Sequence, residues 1–428
     1  MNEKTLNIFI FQLAILGLTE GIFHVQVNLP GCTYKCDNPK KEDNNSDKKI
    51  KDFYWRDFYG VVPPDAYQLG DNNQNPQTYV GMVFDPSHNG TFITTIVEGQ
   101  DYVYGVVGNE VSKLTDTIQI LCTMEPEKVT WTQLYNVDQL EGYYVVRGYF
   151  HYERKNDSQT LEYFRHYVVK TTEGNMAYAG YSTGLNTSIT YALSNGTPRN
   201  TQNFEWLLFS KEAKENEKSS TKPFLSYNYN FSLSSALFQS KFHHQINIGS
   251  CSLVCTNQGK GSTDKDKMIK KKSESAMVYY WKPSYIEDRD RENLLEVGRS
   301  FSDNPSYIGQ GLTTNNWYDV GQTEGGGVYL VRDKYAEVQA EFQLLSSISQ
   351  ERLEWINSTT QTFGELDKTK LVPGGKLDNG TQTFVGRSYY LNKYNPGSIK
   401  VLPTGAYCFL LYGLLEQFEV LSVKDKTP

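Results

Sequence analysis

The chain contains itself twice. Phe23-His24-Val25-Gln26-Val27-Asn28 followed by Cys32-Thr33-Tyr34-Lys35-Cys36 returns at one constant offset as Phe242-His243-His244-Gln245-Ile246-Asn247 followed by Cys251-Ser252-Leu253-Val254-Cys255. The correspondence continues through small insertions. A Lys-rich stretch comes next in each copy, then Tyr54-Trp55 answers Tyr280-Trp281, Tyr79-Val80-Gly81 answers Tyr307-Ile308-Gly309, and Glu98-Gly99 answers Glu324-Gly325. Internal duplication therefore sets the architecture before any single residue is read.

The local signal between these landmarks is strand rather than helix. Tyr, Phe, Val, Ile and Thr alternate with polar residues in Thr91–Val97, Tyr143–Tyr149, Tyr163–Val169 and Gly327–Val331, and Gly and Asn punctuate at intervals typical of tight turns. This predicts an all-β fold of sandwich- or barrel-like modules. Each half divides again at a leading tryptophan. Trp55, Trp131, Trp281 and Trp355 each open a segment that closes on an apolar strand, at Leu121, Leu208, Leu345 and Leu421. The expected layout is a signal peptide over 1–21 and a first β module over 22–210, with repeats at about 53–123 and 129–210. A charged linker over 211–222 leads to a second module over 223–428, with repeats at about 279–347 and 353–423. The four tryptophans read as core anchors, and each Cys-bearing prefix is expected to add a strand to the pair it precedes.

The apolar run Ile8–Leu18, after an early Lys and before small and polar residues, reads as a secretory signal. Elsewhere nothing approaches the length of a membrane span. A secreted, extracellular glycoprotein is expected, with sequons at Asn44, Asn89, Asn156, Asn186, Asn195, Asn230, Asn357 and Asn379. In that compartment the cysteines Cys32, Cys36, Cys122, Cys251, Cys255 and Cys408 are disulfide candidates whose connectivity the sequence leaves open. A bridge inside either Cys-X-X-X-Cys would require a turn there, because residues four apart on a strand lie about 13 Å apart. The net charge of −7 over 428 residues argues against a nucleic-acid partner. The basic cluster Lys265, Lys267, Lys270, Lys271 and Lys272, interleaved with Asp264 and Asp266, reads as a solvated loop.

The first and last segments resemble the DM-nine repeat family of invertebrate proteins. The first has Val62-Pro63-Pro64-Asp65-Ala66, Gly70-Asp71, Tyr79-Val80-Gly81 and Tyr102-Val103-Tyr104-Gly105 with Gly108-Asn109-Glu110. The last has Val372-Pro373-Gly374-Gly375, Asp378, Phe384-Val385-Gly386-Arg387, Pro396-Gly397-Ser398, Tyr412-Gly413 and Phe418-Glu419-Val420-Leu421. The resemblance implies two tandem β modules of paired repeats and a lectin-like activity, in which an Asp and a Lys hold the sugar. Asp71 and Asp378 match the Asp. At the Lys, this sequence departs to Thr91 and Ser398, and Lys400, two residues on and on the same strand face, is the substitute.

The expected function is thus recognition of glycans or of extracellular or surface proteins, with Asp71, Asp378 and Lys400 as ligand-binding residues. The alternative is a structural or interaction protein of an extracellular matrix or secretion, acting through self-association without sugar binding. Neither a hydrolase motif nor a glycine-rich phosphate or cofactor loop is present, so no enzyme, metal or cofactor is expected. His24 and His243 recur with the duplication but lack a ligand partner at metal spacing.

Overall fold

A computed structural model describes residues 32–36, 50, 52–70, 74–88, 90–107, 110–134, 140–154, 161–184, 188–211, 247–248, 251–255, 264–285, 293–299, 303–313, 318–324, 326–332, 335–377 and 379–425. The described residues are overwhelmingly antiparallel β-structure. The chain divides into two compact units, and both halves of the sequence contribute to each. The smaller unit takes 1–47 and 219–263, the larger 48–218 and 264–428.

In the larger unit each leading Trp strand pairs with the strand that closes its own segment. Trp55 lies opposite Leu121, Trp131 opposite Leu207, Trp281 opposite Leu345 and Trp355 opposite Leu421. Every segment therefore brings its ends together. The two halves meet through equivalent strands: Phe53–Asp57 pairs with Tyr280–Pro283, antiparallel, with Trp55 facing Trp281. Two copies of one residue can oppose each other on antiparallel strands only about a local two-fold axis. The duplication thus folds as an isologous pair, as two subunits of a dimer would.

One sheet runs through that axis. From Phe53–Asp57 it extends outward through Ile118–Thr123, Thr78–Asp85 and Gly90–Val97. From Tyr280–Pro283 it extends in the matching order through Gln343–Ser346, Pro305–Leu312 and Tyr318–Glu324. Side chains alternate across it. Trp55 and Trp281, both fully buried, join a core that also takes Val80, Ile308, Val168 and Val385 from the four segments, with Trp131 and Trp355 packed against its border. The Tyr54 and Tyr280 rings pack at a tilt on the other side, with centroids 4.8 Å apart and planes at 51°.

Two local features differ from the sequence reading. The Lys-rich stretch is an α-helix, Asp264–Ala276, not a loop, because its Lys, Met, Ile, Glu and Ala residues carry high helix propensity and no Gly or Pro interrupts them. Its Ser273 and Ala276 are buried while Lys267, Lys270 and Glu274 stay exposed. The Cys-bearing prefixes pair with each other rather than each joining its own half. In the smaller unit Cys32–Cys36 runs antiparallel to Cys251–Cys255, which also pairs with Asn247–Ile248.

Candidate functional site

A cleft of about 350 Å³ opens in the larger unit beside the two-fold. Its walls come from both halves: Asp57, Tyr59 and Gln119 from the first, Tyr279, Gln310 and Tyr318 from the second, with the Pro373–Gln382 region closing one side. Strand alternation explains the Asp57 position. Asp57 is two residues beyond Trp55 and shares its face, whereas Arg56 points the other way. Arg56 forms an ion pair with Asp65 at 2.8 Å, and its Nη1 donates to the carbonyls of Met277 (3.1 Å) and Tyr279 (2.9 Å). That clamp fixes the turn between the helix and the strand carrying Tyr279.

The floor is a continuous hydrogen-bond network. Tyr279 Oη donates to Asp57 Oδ2 at 2.8 Å, and Gln119 Nε2 reaches Asp57 Oδ1 and Gln310 Oε1, each at 3.2 Å. Tyr318 Oη donates to Gln310 Oε1 at 2.7 Å, and Gln310 Nε2 donates to the Gly374 carbonyl at 2.7 Å. Gly375 is required beside it. At φ +152° a Cβ there would fall 1.8 Å from the Tyr318 carbonyl oxygen, so a side chain would push Tyr318 out of the floor. The amides and phenols orient one another, and Asp57 and Tyr59 remain partly exposed toward the cleft.

Burial dominates the electrostatics. Desolvation raises the Asp57 carboxyl to about 6, against the pull of its hydrogen bonds from Tyr279 and Gln119. The Tyr59 and Tyr279 phenols are pushed well above their ordinary range by burial and by the neighbouring Asp57 charge. Near neutral pH the floor thus offers the Asp57 carboxylate as an acceptor beside neutral phenol and amide donors, while Lys272, Lys368 and Asp116 add charge to the walls. Lys272 stands 5.4 Å from the Tyr59 ring centroid, and an exposed ion pair between Lys376 and Asp116, 2.5 Å, ties the rim.

The two-fold generates an equivalent place in the other copy, and there the cleft is gone. Pro283 faces Gln343 where Asp57 faces Gln119, and Tyr285 stands where Tyr59 does. The remaining space is about 10 Å³. Arg147 fills it: its guanidinium lies 3.8 Å from the Tyr285 ring centroid, its backbone NH donates to Tyr285 Oη at 3.1 Å, and Glu341 lies 3.8 Å from its Nη1. Arg165 also pairs with Glu341. One copy keeps an open polar cleft, and the other is plugged by a cation–π stack.

Asp71 and Asp378 lie outside the described residues, as do Asn44, Asn89, Asn156, Asn186, Asn230, His24 and His243. Lys400 is buried, 3% exposed, with its Nζ 2.9 Å from Asp319 Oδ2, donating to the Val331 carbonyl and 4.8 Å from the Phe409 ring centroid. It does not line the cleft. Thr91 and Ser398, the positions of the departed Lys, are also buried. Asn195, Asn357 and Asn379 are exposed. Cys122 and Cys408 are free thiols in separate core clusters, and so do not bridge each other. Among the described residues no group of His, Cys, Asp and Glu is arranged to hold a metal ion, and no helix is long and apolar enough to cross a membrane.

Sequence reasoning missed Asp57, Gln119, Tyr279, Gln310 and Tyr318 as a group. The available signal was a difference between the copies: Trp55-Arg56-Asp57 against Trp281-Lys282-Pro283.

No family model matches the chain, and no curated protein does. Among solved structures, that of the nematode sperm cell motility protein MFP2B is similar over 88% of this chain and 98% of its own at 8% identity, with a TM-score of 0.28. A likeness at that level carries no argument about this chain.

Proposed function

We propose that this chain is a secreted carbohydrate-recognition protein that holds a small saccharide in the Asp57–Gln119–Gln310 cleft. The observation that carries the reading is the asymmetry of the duplication: one copy keeps a polar cleft and the other fills the equivalent volume. A carboxylate, two carboxamides and three phenols match vicinal hydroxyls, and tyrosine rings suit the apolar face of a sugar. The volume falls at the lower end of small-ligand sites, roughly 300–1,000 Å³. The exposed sequon asparagines Asn195, Asn357 and Asn379 support passage through the secretory route.

The test is a glycan array probed with deglycosylated protein, followed by titration of the best sugar against Asp57→Asn and Gln310→Ala. Binding that weakens about tenfold to a hundredfold in Asp57→Asn is expected, the value of a hydrogen bond to a charged group. No binding to any sugar class, or binding indifferent to both substitutions, overturns the proposal.

A second reading, a structural or interaction protein, draws support from one surface feature. The hairpin joining Gln382–Tyr390 to Lys393–Leu402 turns at Leu391 and Asn392 and presents Tyr389 (62% exposed) and Leu391 (59%) to solvent. Sedimentation separates the readings. Concentration-dependent assembly abolished by Tyr389→Ser with Leu391→Ser favours the second, and a monomer with sugar affinity favours the first.

A further inference from the structure

In the smaller unit the four repeated cysteines fall on one two-stranded ribbon. Cys32–Cys36 and Cys251–Cys255 are antiparallel, with Cys32 opposite Cys255, Tyr34 opposite Leu253 and Cys36 opposite Cys251. Tyr34 and Leu253 are equivalent positions of the duplication, so this ribbon too is centred on a local two-fold. Residues four apart on a strand share a face, which places all four cysteines on one face. We propose that they form two cross-strand disulfides, Cys32–Cys255 and Cys36–Cys251, which clasp the two copies of the prefix together.

The register selects one of three connectivities. A disulfide requires Cα atoms about 4.4–6.8 Å apart. Directly opposed residues of an antiparallel pair lie about 4.5–5.5 Å apart, within that reach. The intramotif pairs Cys32–Cys36 and Cys251–Cys255 each span four residues of extended strand, about 13 Å. The remaining choice, Cys32–Cys251 with Cys36–Cys255, is displaced by the same four residues along the ribbon. Hydrogen-bonded and non-hydrogen-bonded pairs alternate along antiparallel strands, so two pairs four residues apart are of one kind, and a geometry that suits one bridge suits both.

Each bridge forms by thiol–disulfide exchange with a disulfide oxidant, a disulfide-donor protein or oxidised glutathione. One cysteine thiolate attacks a donor sulfur to give a mixed disulfide and one donor thiolate. The opposing thiolate then displaces the second donor sulfur. Per bridge two protein thiols lose two protons and two electrons, and one donor disulfide becomes two thiols. Closing both bridges consumes two equivalents. This inference is independent of the sugar reading, because the cleft residues belong to the other compact unit.

The sequence is well placed for mapping the bonds. Tyr34 and Lys35 lie between Cys32 and Cys36, and Leu253 lies between Cys251 and Cys255, so trypsin with chymotrypsin separates all four. The full chain, secreted from eukaryotic cells or equilibrated with oxidised glutathione, is unfolded in iodoacetamide, digested without reductant and read by mass spectrometry. The expected result is a peptide ending at Tyr34 linked to one beginning at Val254, and a peptide beginning at Cys36 linked to one ending at Leu253. Cys122 and Cys408 carry the alkyl label in the same digest. In Cys32→Ser, Cys255 should join Cys122 and Cys408 in carrying the label while Cys36–Cys251 persists. Either other connectivity, label on Cys32, Cys36, Cys251 and Cys255 together after equilibration with oxidised glutathione, or a stoichiometric zinc ion released with all four of them labelled overturns the proposal.

Discussion

Replacing Lys400 with methionine separates a structural lysine from a sugar-binding one. Asp319, fully buried, accepts hydrogen bonds at Oδ1 from Thr383 and Ser398, both 2.7 Å, and meets Lys400 Nζ with Oδ2 at 2.9 Å. Methionine keeps most of the lysine stem, so the packing change costs under about 1.5 kcal/mol. The Asp319 charge, held then by two hydroxyls alone, costs about 3–5 kcal/mol, the usual penalty for removing one partner of a buried pair. Against a typical total of about 5–15 kcal/mol, that is a large fraction. Urea unfolding followed by tryptophan fluorescence should show Lys400→Met destabilised by about 4 kcal/mol. The double variant Asp319→Asn with Lys400→Met, which removes both charges and keeps an acceptor for the hydroxyls, should recover about half of that loss. The reasoning fails if Lys400→Met stays within about 1 kcal/mol of the parent, or if the double variant is the less stable of the two. A Lys400→Met protein that unfolds normally yet loses sugar binding would return this residue to the ligand.

Asp57 gives a pH signature. Its folded-state value, about 6, lies above its ordinary carboxylate value, so the folded state holds the extra proton between roughly pH 4 and 6. The stability contributed by that protonation is present below pH 4 and is lost as pH rises through 6. Asp57→Asn should flatten this part of the stability profile, and an unchanged slope would refute the assignment. Sugar affinity runs the opposite way, rising through the same range as the carboxylate ionises. Arg56→Lys should destabilise the larger unit by about 2–4 kcal/mol, because an ammonium cannot reproduce the forked contacts to Asp65 and the Met277 and Tyr279 carbonyls. A thermal midpoint equal to the parent's would show that charge alone suffices. Burial pushes the Cys122 and Cys408 thiols up, so native protein should leave both unlabelled by maleimide over hours and unfolded protein should label them at once. Fast labelling of either without denaturant would contradict its burial.

The β class could be read from the sequence because alternation and turn residues are local. The four Trp-to-Leu segments were equally legible, since each strand pairs within its own stretch of chain. What the sequence concealed is the choice of partner across the halves. Phe53–Asp57 carries no local mark that its second neighbour is Tyr280–Pro283 rather than a strand of its own half. The cleft was hidden for the same reason. Asp57, Gln119, Tyr279, Gln310 and Tyr318 are ordinary residues scattered along the chain, and only the two-fold brings them together. The charge of the Lys265–Lys272 stretch suggests a loop, but its residues favour helix and Ile269, Ser273 and Ala276 fall at helical spacing.

The strand pairing at Trp55 and Trp281 has a consequence for what a duplicated chain can become. Two identical subunits about a true dyad must change together: a substitution that plugs one pocket plugs its mate. Joining them in one polypeptide lifts that restriction. Arg147 and Pro283 could arise on one side of the axis while Asp57 persisted on the other. Covalent linkage also removes the concentration dependence of assembly, because the partner edge for Phe53–Asp57 is always tethered nearby. Severed between the halves, each fragment would display that edge unpaired, and the two should find each other again in solution.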